Sequence, residues 1–144
     1  FVTHLLEAEL QRRIYAQAEA GQAVTAQLLN QCKGEILAGF WGDAVVIDDG
    51  ARMTWMRQPH YYLGLYPYTY SVGLVAATAM AGRVADEGPP AVQRWLQVLK
   101  AGGTMKPMEL LQLAGIDLSS PAPIRAAVAT VGVLVDELER SFPT

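Results

Sequence analysis

Glycine and proline divide this sequence into stretches whose apolar residues recur every three or four positions. That spacing places apolar side chains on one face of an α-helix, and a glycine after the last periodic residue is a common helix end. The clearest breaks are at Gly21, Gly88-Pro89-Pro90, Gly102-Gly103 and Gly115. The pattern predicts an all-α fold, a bundle of about six helices joined by short turns in one domain over residues 1–144.

Local signals set the expected helix bounds. Thr25 is suited to cap the second helix, after a first helix that ends near Ala20. A proline inside a helix costs about 3 kcal/mol, whereas the first turn tolerates it. A long helix over 61–86 therefore either starts near Tyr66 or kinks at Pro67. The remaining predictions are a loop over 43–50, an extended Gln58, and helices over 51–56, 89–101, 108–114 and 124–140.

Charge and hydropathy exclude two classes of partner. The formal net charge is −3 and the eleven Lys and Arg residues are scattered, so no basic surface for nucleic acid is expected. Although 51% of the residues are hydrophobic, the longest apolar run, 72–81, is too short to span a bilayer. We expect a cytoplasmic protein that binds neither nucleic acid nor membrane. Cys32, the lone cysteine, is expected to be a small buried hydrophobic residue.

Two further features concern metal binding and the start of the chain. The sequence has no paired cysteines and no H-E-x-x-H motif, and His4 is far from His60, so no metal site is predicted within it. His4 is expected to be a surface or partly packed side chain. Phe1, Val2 and Leu5 keep helical spacing from the first residue, which indicates a piece of a longer protein. Apolar surface exposed in such a piece favours self-association.

The densest group of polar aromatic side chains follows His60. Five of the six tyrosines lie within residues 61–70, directly after this histidine. Phenol hydroxyls and an imidazole in one segment can donate hydrogen bonds to a developing negative charge. The alternative is that aromatic rings at helical spacing are core residues. His60 follows a proline at a helix entrance, where a side chain can point into a cleft.

The same segment carries a family resemblance. Residues 55–73 read W-M-R-Q-P-H-Y-Y-L-G-L-Y-P-Y-T-Y-S-V-G and resemble the W-x-R-I-P-H-F-Y-x-x-F-Y-V-Y-x-Y-A-T-G of oligoendopeptidase F, a zinc metallopeptidase family related to thimet oligopeptidase. Residues 96–104, L-Q-V-L-K-A-G-G-T, resemble that family's Y-L-x-F-L-K-S-G-G-S. Residues 107–121, P-M-E-L-L-Q-L-A-G-I-D-L-S-S-P, resemble its P-x-x-L-L-K-x-A-G-V-D-M-x-x-P. The resemblance covers nearly the whole chain.

The resemblance implies the C-terminal part of a mostly helical catalytic domain. The zinc of the parent enzyme is then held by an H-E-x-x-H helix and a glutamate upstream of Phe1, and the parent hydrolyses short peptides. This chain alone is expected to be inactive and to need that missing N-terminal part as a partner. The residues implied as catalytic are His60, Tyr62, Tyr66 and Tyr68, and those implied as substrate-binding are Tyr61, Gly102 and Gly103.

The chain departs from the family pattern at several positions, and two rival functions stay open. Gln58 replaces the usual isoleucine, Leu65 an aromatic residue and Pro67 the usual valine, while 104–106 reads T-M-K instead of S-D-Y. One rival is a non-catalytic helical peptide- or protein-binding module derived from the family. The other is a structural bundle with core tyrosines. Apart from the resemblance, Gly102-Gly103 is interpreted as a helix end or as a flexible wall of a cleft.

Overall fold

The computed structural model describes residues 1–142, and within them the protein is all-α with seven helices and no strand. The fold-class prediction is confirmed. The helices are α1 (Val2–Glu19), α2 (Ala26–Trp41), α3 (Asp49–Arg52), α4 (Pro67–Glu87), α5 (Pro89–Ala101), α6 (Pro107–Leu113) and α7 (Ala122–Ser141). Short 3₁₀ turns lie at Gly42–Ala44, Thr54–Arg57 and Pro59–Tyr62. None of the seven helices is both long and apolar enough to cross a membrane.

Most helix ends follow the local signals in the sequence. The Thr25 hydroxyl accepts a hydrogen bond from the backbone N–H of Leu28 at 3.2 Å, so it caps α2 as predicted. Gly21 follows α1 with a φ of 71°, a backbone conformation that glycine adopts without a steric penalty. Gln58 is extended as predicted, with φ −108° and ψ 90°.

Two predicted boundaries are corrected by the structure. The long helix does not reach back to residue 61, because α4 begins at Pro67, whose missing N–H is no loss in a first turn. The kinked alternative is therefore wrong. The predicted helix over 51–56 is instead α3 over Asp49–Arg52, followed by the 3₁₀ turn Thr54–Arg57. It starts at Asp49 because the Asp48 carboxylate accepts a hydrogen bond from the Ala51 N–H at 2.7 Å.

The chain divides into two compact units, Phe1–Val72 and the part from Gly73 onward. In the first unit α1 packs against α2 around a core of Leu10, Cys32 and Ile36. Cys32 is buried and free. The single-domain prediction stays a prediction.

Ion pairs add to the α1–α2 packing of the first unit. Glu9 accepts hydrogen bonds from Arg12 at 2.7 Å and from Arg13 at 2.8 Å. Arg13 also reaches Glu35 on α2 at 3.2 Å. The two arginines lower the pKa of the Glu9 carboxyl from 4.5 to about 2, chiefly by these hydrogen bonds.

The second unit has its own small core. The buried residues Met80, Ala91, Ala114 and Ile116 lie together there, with partly buried side chains such as Trp95 packed around them. Around this core Arg83 donates to the Gly115 carbonyl oxygen at 2.6 Å, and Glu87 pairs with Arg94. The second unit thus has a buried apolar core, and arginine side chains make polar contacts at its surface.

Two glycines of α2 provide a matched test of packing. A Cβ on Gly34 would overlap the guanidinium of Arg52 and come within 3.2 Å of its Cγ, whereas one on Gly39 meets no described atom within 4 Å. Gly39→Ala should raise the unfolding free energy by about 0.5–1 kcal/mol, because alanine has a lower backbone entropy in the unfolded chain. The unfolding free energy of Gly34→Ala should be at least about 1 kcal/mol lower than that of Gly39→Ala, since overpacking typically costs 1–3 kcal/mol. Urea unfolding of each single variant measures these free energies. Equal values for the two variants would contradict the packing of Arg52 on Gly34.

The Glu9 ion pairs predict a pH dependence of stability. Because the folded-state pKa of Glu9 lies below its ordinary value of 4.5, its contribution is present above pH 4.5 and is lost as the pH falls toward 2. Unfolding free energies measured between pH 5 and pH 2.5 should therefore decline more steeply in the wild type than in Glu9→Gln. Identical slopes would mean that the two arginines do not hold Glu9 ionised.

Candidate functional site

The first unit brings two histidines and two tyrosines together with a carboxylate and an amide. We call this group the His/Tyr cluster. Two of its members lie on α1, two in or beside the 3₁₀ turn Pro59–Tyr62, and two at the start of α4. The cluster consists of His4, Glu7, Gln58, His60, Tyr66 and Tyr70.

The buried side chain of Gln11 fixes the turn that leads into the cluster. It is 1% exposed, and its Nε2 donates to the carbonyl oxygens of Tyr61, at 3.3 Å, and Gly64. Gly64 has a φ of 65°, which glycine adopts without strain and which reverses the chain before Pro67. The Gln11 amide therefore helps to hold the turn against α1, together with the packing of Tyr61 on the core.

A continuous polar chain runs through the cluster. The Glu7 carboxylate contacts His4 Nδ1 at 3.1 Å and accepts a hydrogen bond from Gln58 Nε2 at 2.6 Å. On the other side of the amide, Gln58 Oε1 lies 3.1 Å from His60 Nδ1. Glu7 is 7% exposed, so this carboxylate is buried with polar partners for both of its oxygens.

The aromatic rings of the cluster pack face to face and edge to face. His60 stacks on Tyr66 with ring centroids 5.3 Å apart, and His4 stacks on Tyr70 at 4.4 Å. Tyr70 meets His60 edge-on at 5.6 Å. The Tyr70 hydroxyl lies 3.3 Å from His60 Nε2 and 3.4 Å from the Tyr66 hydroxyl, which are long hydrogen bonds.

Burial and hydrogen bonding disfavour the ionisation of two phenols of this region, those of Tyr61 and Tyr70. The hydrogen bond to Tyr66 raises the pKa of Tyr70, and partial burial adds to the effect. Burial raises the pKa of Tyr61, and the negative charge of Glu7 acts in the same direction. Burial lowers the pKa of Lys33, while Glu7 opposes that shift. Tyr61 and Tyr70 are therefore neutral hydrogen-bonding groups at neutral pH.

Sequence comparison identifies the family. The profile of peptidase family M3 matches residues 1–130. This chain belongs to peptidase family M3. The chain is 37% identical over 132 residues to "Oligopeptidase PepF" of Bacillus subtilis, covering 92% of this chain and 20% of that protein. It is 32% identical over 133 residues to "Oligoendopeptidase F, plasmid" of Lactococcus lactis subsp. cremoris, covering 92% of this chain and 22% of that protein.

A solved structure agrees with this assignment. The oligoendopeptidase-F from Enterococcus faecium superimposes with a TM-score of 0.85 at 30% identity, over 95% of this chain and 26% of that one. The predicted resemblance to oligoendopeptidase F is confirmed. This family M3 chain spans about a fifth of the length of the curated relatives that it matches.

The structure distributes the predicted site residues of this M3 chain over several places. His60 and Tyr66 are stacked within the cluster. Tyr68, two positions before Tyr70, points to another side of α4 and lines a cavity of about 330 Å³ together with residues of α1 and Leu65. Tyr62 is 83% exposed.

The other predicted substrate contacts lie elsewhere in the M3 chain. Tyr61 is partly buried and packs against the core of the first unit. Gly102 and Gly103 are exposed in the second unit after α5, and Gly102 has a φ of 56°. The roles assigned to these residues stay predictions.

Sequence reasoning missed four members of the cluster. Glu7 was expected, with Glu9, on a solvated face, which is wrong because Glu7 is buried. Tyr70 was counted only as one of the five clustered tyrosines, Gln58 was noted only as a departure from the family pattern, and His4 was expected to be a surface or partly packed side chain. Two local signals were available: His4 lies three residues before Glu7 on α1, and Tyr66 lies four before Tyr70. The contact from Glu7 to Gln58 spans 51 positions, so no local pattern indicates it.

The described residues of this M3 chain do not form a metal site. Among residues 1–142, no three His, Cys, Asp or Glu side chains lie together in a group that could hold a metal ion. Within the cluster the one carboxylate already accepts hydrogen bonds from other members, and each histidine Nδ1 faces an oxygen acceptor. The zinc implied by the resemblance therefore does not fit here.

Removal of the Gln11 amide should loosen the turn. Gln11→Leu leaves two carbonyl oxygens without their donor, which should cost about 1–3 kcal/mol of unfolding free energy. Chymotrypsin should also cleave faster within residues 61–66. Urea unfolding and limited proteolysis measure the two effects. Gln97→Leu, at an exposed position of α5, is the control and should change neither. If chymotrypsin cleaves Gln11→Leu at the same rate as the wild type, the amide does not hold the turn.

Proposed function

We propose that this chain is the C-terminal helical part of the catalytic domain of a cytoplasmic zinc oligopeptidase that hydrolyses short peptides. The family assignment and the names of the relatives support peptide hydrolysis as the reaction class. The observation that carries the proposal within this chain is the stacking of His60 on Tyr66 at a partly exposed surface. Neutral hydroxyl and imidazole groups at such a surface are suited to bind peptide groups.

We assign His60 and the three tyrosines Tyr62, Tyr66 and Tyr68 to stabilisation of the reacting carbonyl. When a peptide carbonyl is attacked, its oxygen becomes negative, and a preorganised hydrogen-bond donor stabilises that charge. Tyr62, Tyr66 and Tyr68 are 83%, 39% and 48% exposed, so each ring is open to a ligand. One donor of this kind contributes about 10²–10³ in kcat.

Peptide binding is assigned to three further residues. Gly102 and Gly103 have no side chain to cover their main-chain groups, and they are exposed after α5. A peptide backbone can hydrogen-bond to such groups directly. Tyr61 is assigned to the same role because it directly follows His60, although most of its ring packs on the core.

The zinc ion and its ligands are assigned to the parent protein outside these 144 residues. This assignment follows from the resemblance to oligoendopeptidase F, and the chain alone is therefore proposed to be inactive. The missing N-terminal part is also the proposed partner of α7, whose exposed apolar side chains include Val128, Leu134 and Leu138. In its absence the same side chains favour self-association.

The proposed roles predict a kinetic pattern in a parent enzyme that contains this chain. Tyr66→Phe, Tyr68→Phe and His60→Ala should each lower kcat by tenfold or more with a smaller rise in KM, because they remove donors used in the transition state. Hydrolysis of a quenched fluorescent peptide measures both constants. Gln97→Leu, at an exposed position of α5 outside the cluster, is the control and should leave kcat unchanged.

Two outcomes would contradict the proposal. If the donor-removing variants keep kcat within twofold of the wild type, the side chains are packing or peptide-binding groups, as in the non-catalytic module. If the 144-residue chain alone hydrolyses the peptide and a chelator stops it, the metal site lies within this chain.

A further inference from the structure

The amide of Gln58 lies between two ionisable side chains, and this position determines its orientation. An ionised carboxylate only accepts hydrogen bonds, so the amide nitrogen must face Glu7, as the contact of 2.6 Å shows. The amide oxygen then faces His60 Nδ1 at 3.1 Å. Because that oxygen also only accepts, Nδ1 must carry a proton for the hydrogen bond to exist.

We propose that Gln58 is a positioning residue that holds neutral His60 as its Nδ1–H tautomer. The lone pair of Nε2 then faces the Tyr70 hydroxyl at 3.3 Å. That hydroxyl has a single proton and two acceptors within reach, this lone pair and the Tyr66 oxygen at 3.4 Å.

The tautomer determines what His60 offers a ligand. Neutral His60 presents the Nε2 lone pair, which accepts hydrogen bonds, because its one N–H group is engaged by Gln58. The proposed donation from His60 to a reacting carbonyl oxygen therefore uses the imidazolium form, in which Nε2 also carries a proton.

Several charged or titratable groups surround His60 and belong to this mechanism. Tyr66 and Tyr70 from the α4 region contact the ring directly. Through Gln58 the imidazole is linked to Glu7 on α1, which also contacts His4, and the buried Lys33 on α2 interacts with the Glu7 charge. A negative Glu7 is therefore the group that keeps the amide in one orientation.

The test is the position of the proton on His60. Long-range proton–nitrogen NMR correlations of this chain, recorded at about pH 8.5, roughly two units above the ordinary histidine pKa, distinguish the two neutral tautomers. His60 should show the Nδ1–H pattern, and its signals are assigned by their loss in His60→Asn. In Gln58→Leu the pattern should change to Nε2–H, the tautomer that free histidine favours in water. Gln97→Leu should leave the His60 pattern unchanged.

A second variant shows whether Gln58 or the tyrosine sets the tautomer. Tyr70→Phe removes the hydroxyl that faces Nε2, yet His60 should keep the Nδ1–H pattern because Gln58 is intact. Three results would overturn the proposal. They are an Nε2–H pattern in the folded wild type, an Nε2–H pattern in Tyr70→Phe, and an unchanged Nδ1–H pattern in Gln58→Leu. The wild-type spectrum alone decides the matter if Gln58→Leu does not fold.

The donation from His60 to a peptide rests on the proposed function, but the tautomer does not. The spectra are recorded without substrate or metal, so a parent enzyme that fails to hydrolyse peptides would leave the NMR result standing. Conversely, an Nε2–H tautomer would overturn the role of Gln58 while peptide hydrolysis by the parent stayed measurable. The two failures are therefore distinguishable.

Discussion

One buried amide, that of Gln11, determines where the polar residues of the first unit can lie. Its Nε2 group bonds the carbonyl oxygens of Tyr61 and Gly64, two main-chain groups that have no helical partner. A turn of this kind would otherwise expose its backbone to water and move away from α1. Because the turn is held, α4 can begin at Pro67 and place Tyr70 beside His60. The position of the cluster thus depends on a buried side chain of a neighbouring helix.

Helix ends were predictable from the sequence where the signal is local, and less so elsewhere. The Thr25 cap and the glycine after α1 act within three residues, so the pattern alone places α2 and the end of α1. The stretch before Pro67 was different. Its tyrosines have helical spacing, yet the chain forms a 3₁₀ turn and a glycine reversal there, because its carbonyls bond to Gln11 instead of to the next helical turn. A tertiary contact overrode the local periodicity.

The candidate site was predictable in part for the same reason. His60 and Tyr66 were expected from the composition of a single segment, and the structure stacks their rings. The partners that orient them were not, because Glu7 and His4 come from α1, more than fifty positions earlier. Tyr68 shows the converse. It belongs to the same segment, but a helix turns its side chain away from Tyr70, toward a cavity beside Leu65.

The buried thiol at the α1–α2 contact makes this helix pair observable by chemistry alone. Cys32 is the single cysteine of the chain and lies against Leu10 and Ile36, where a thiol reagent cannot reach it while the helices are packed. Alkylation of Cys32 therefore requires a local separation of the two helices. When the helices close again faster than the reagent reacts, the observed rate is the intrinsic rate of the thiol multiplied by the fraction of molecules that are open. The chain thus contains a built-in reporter of the stability of the scaffold that carries Gln11 and Glu7.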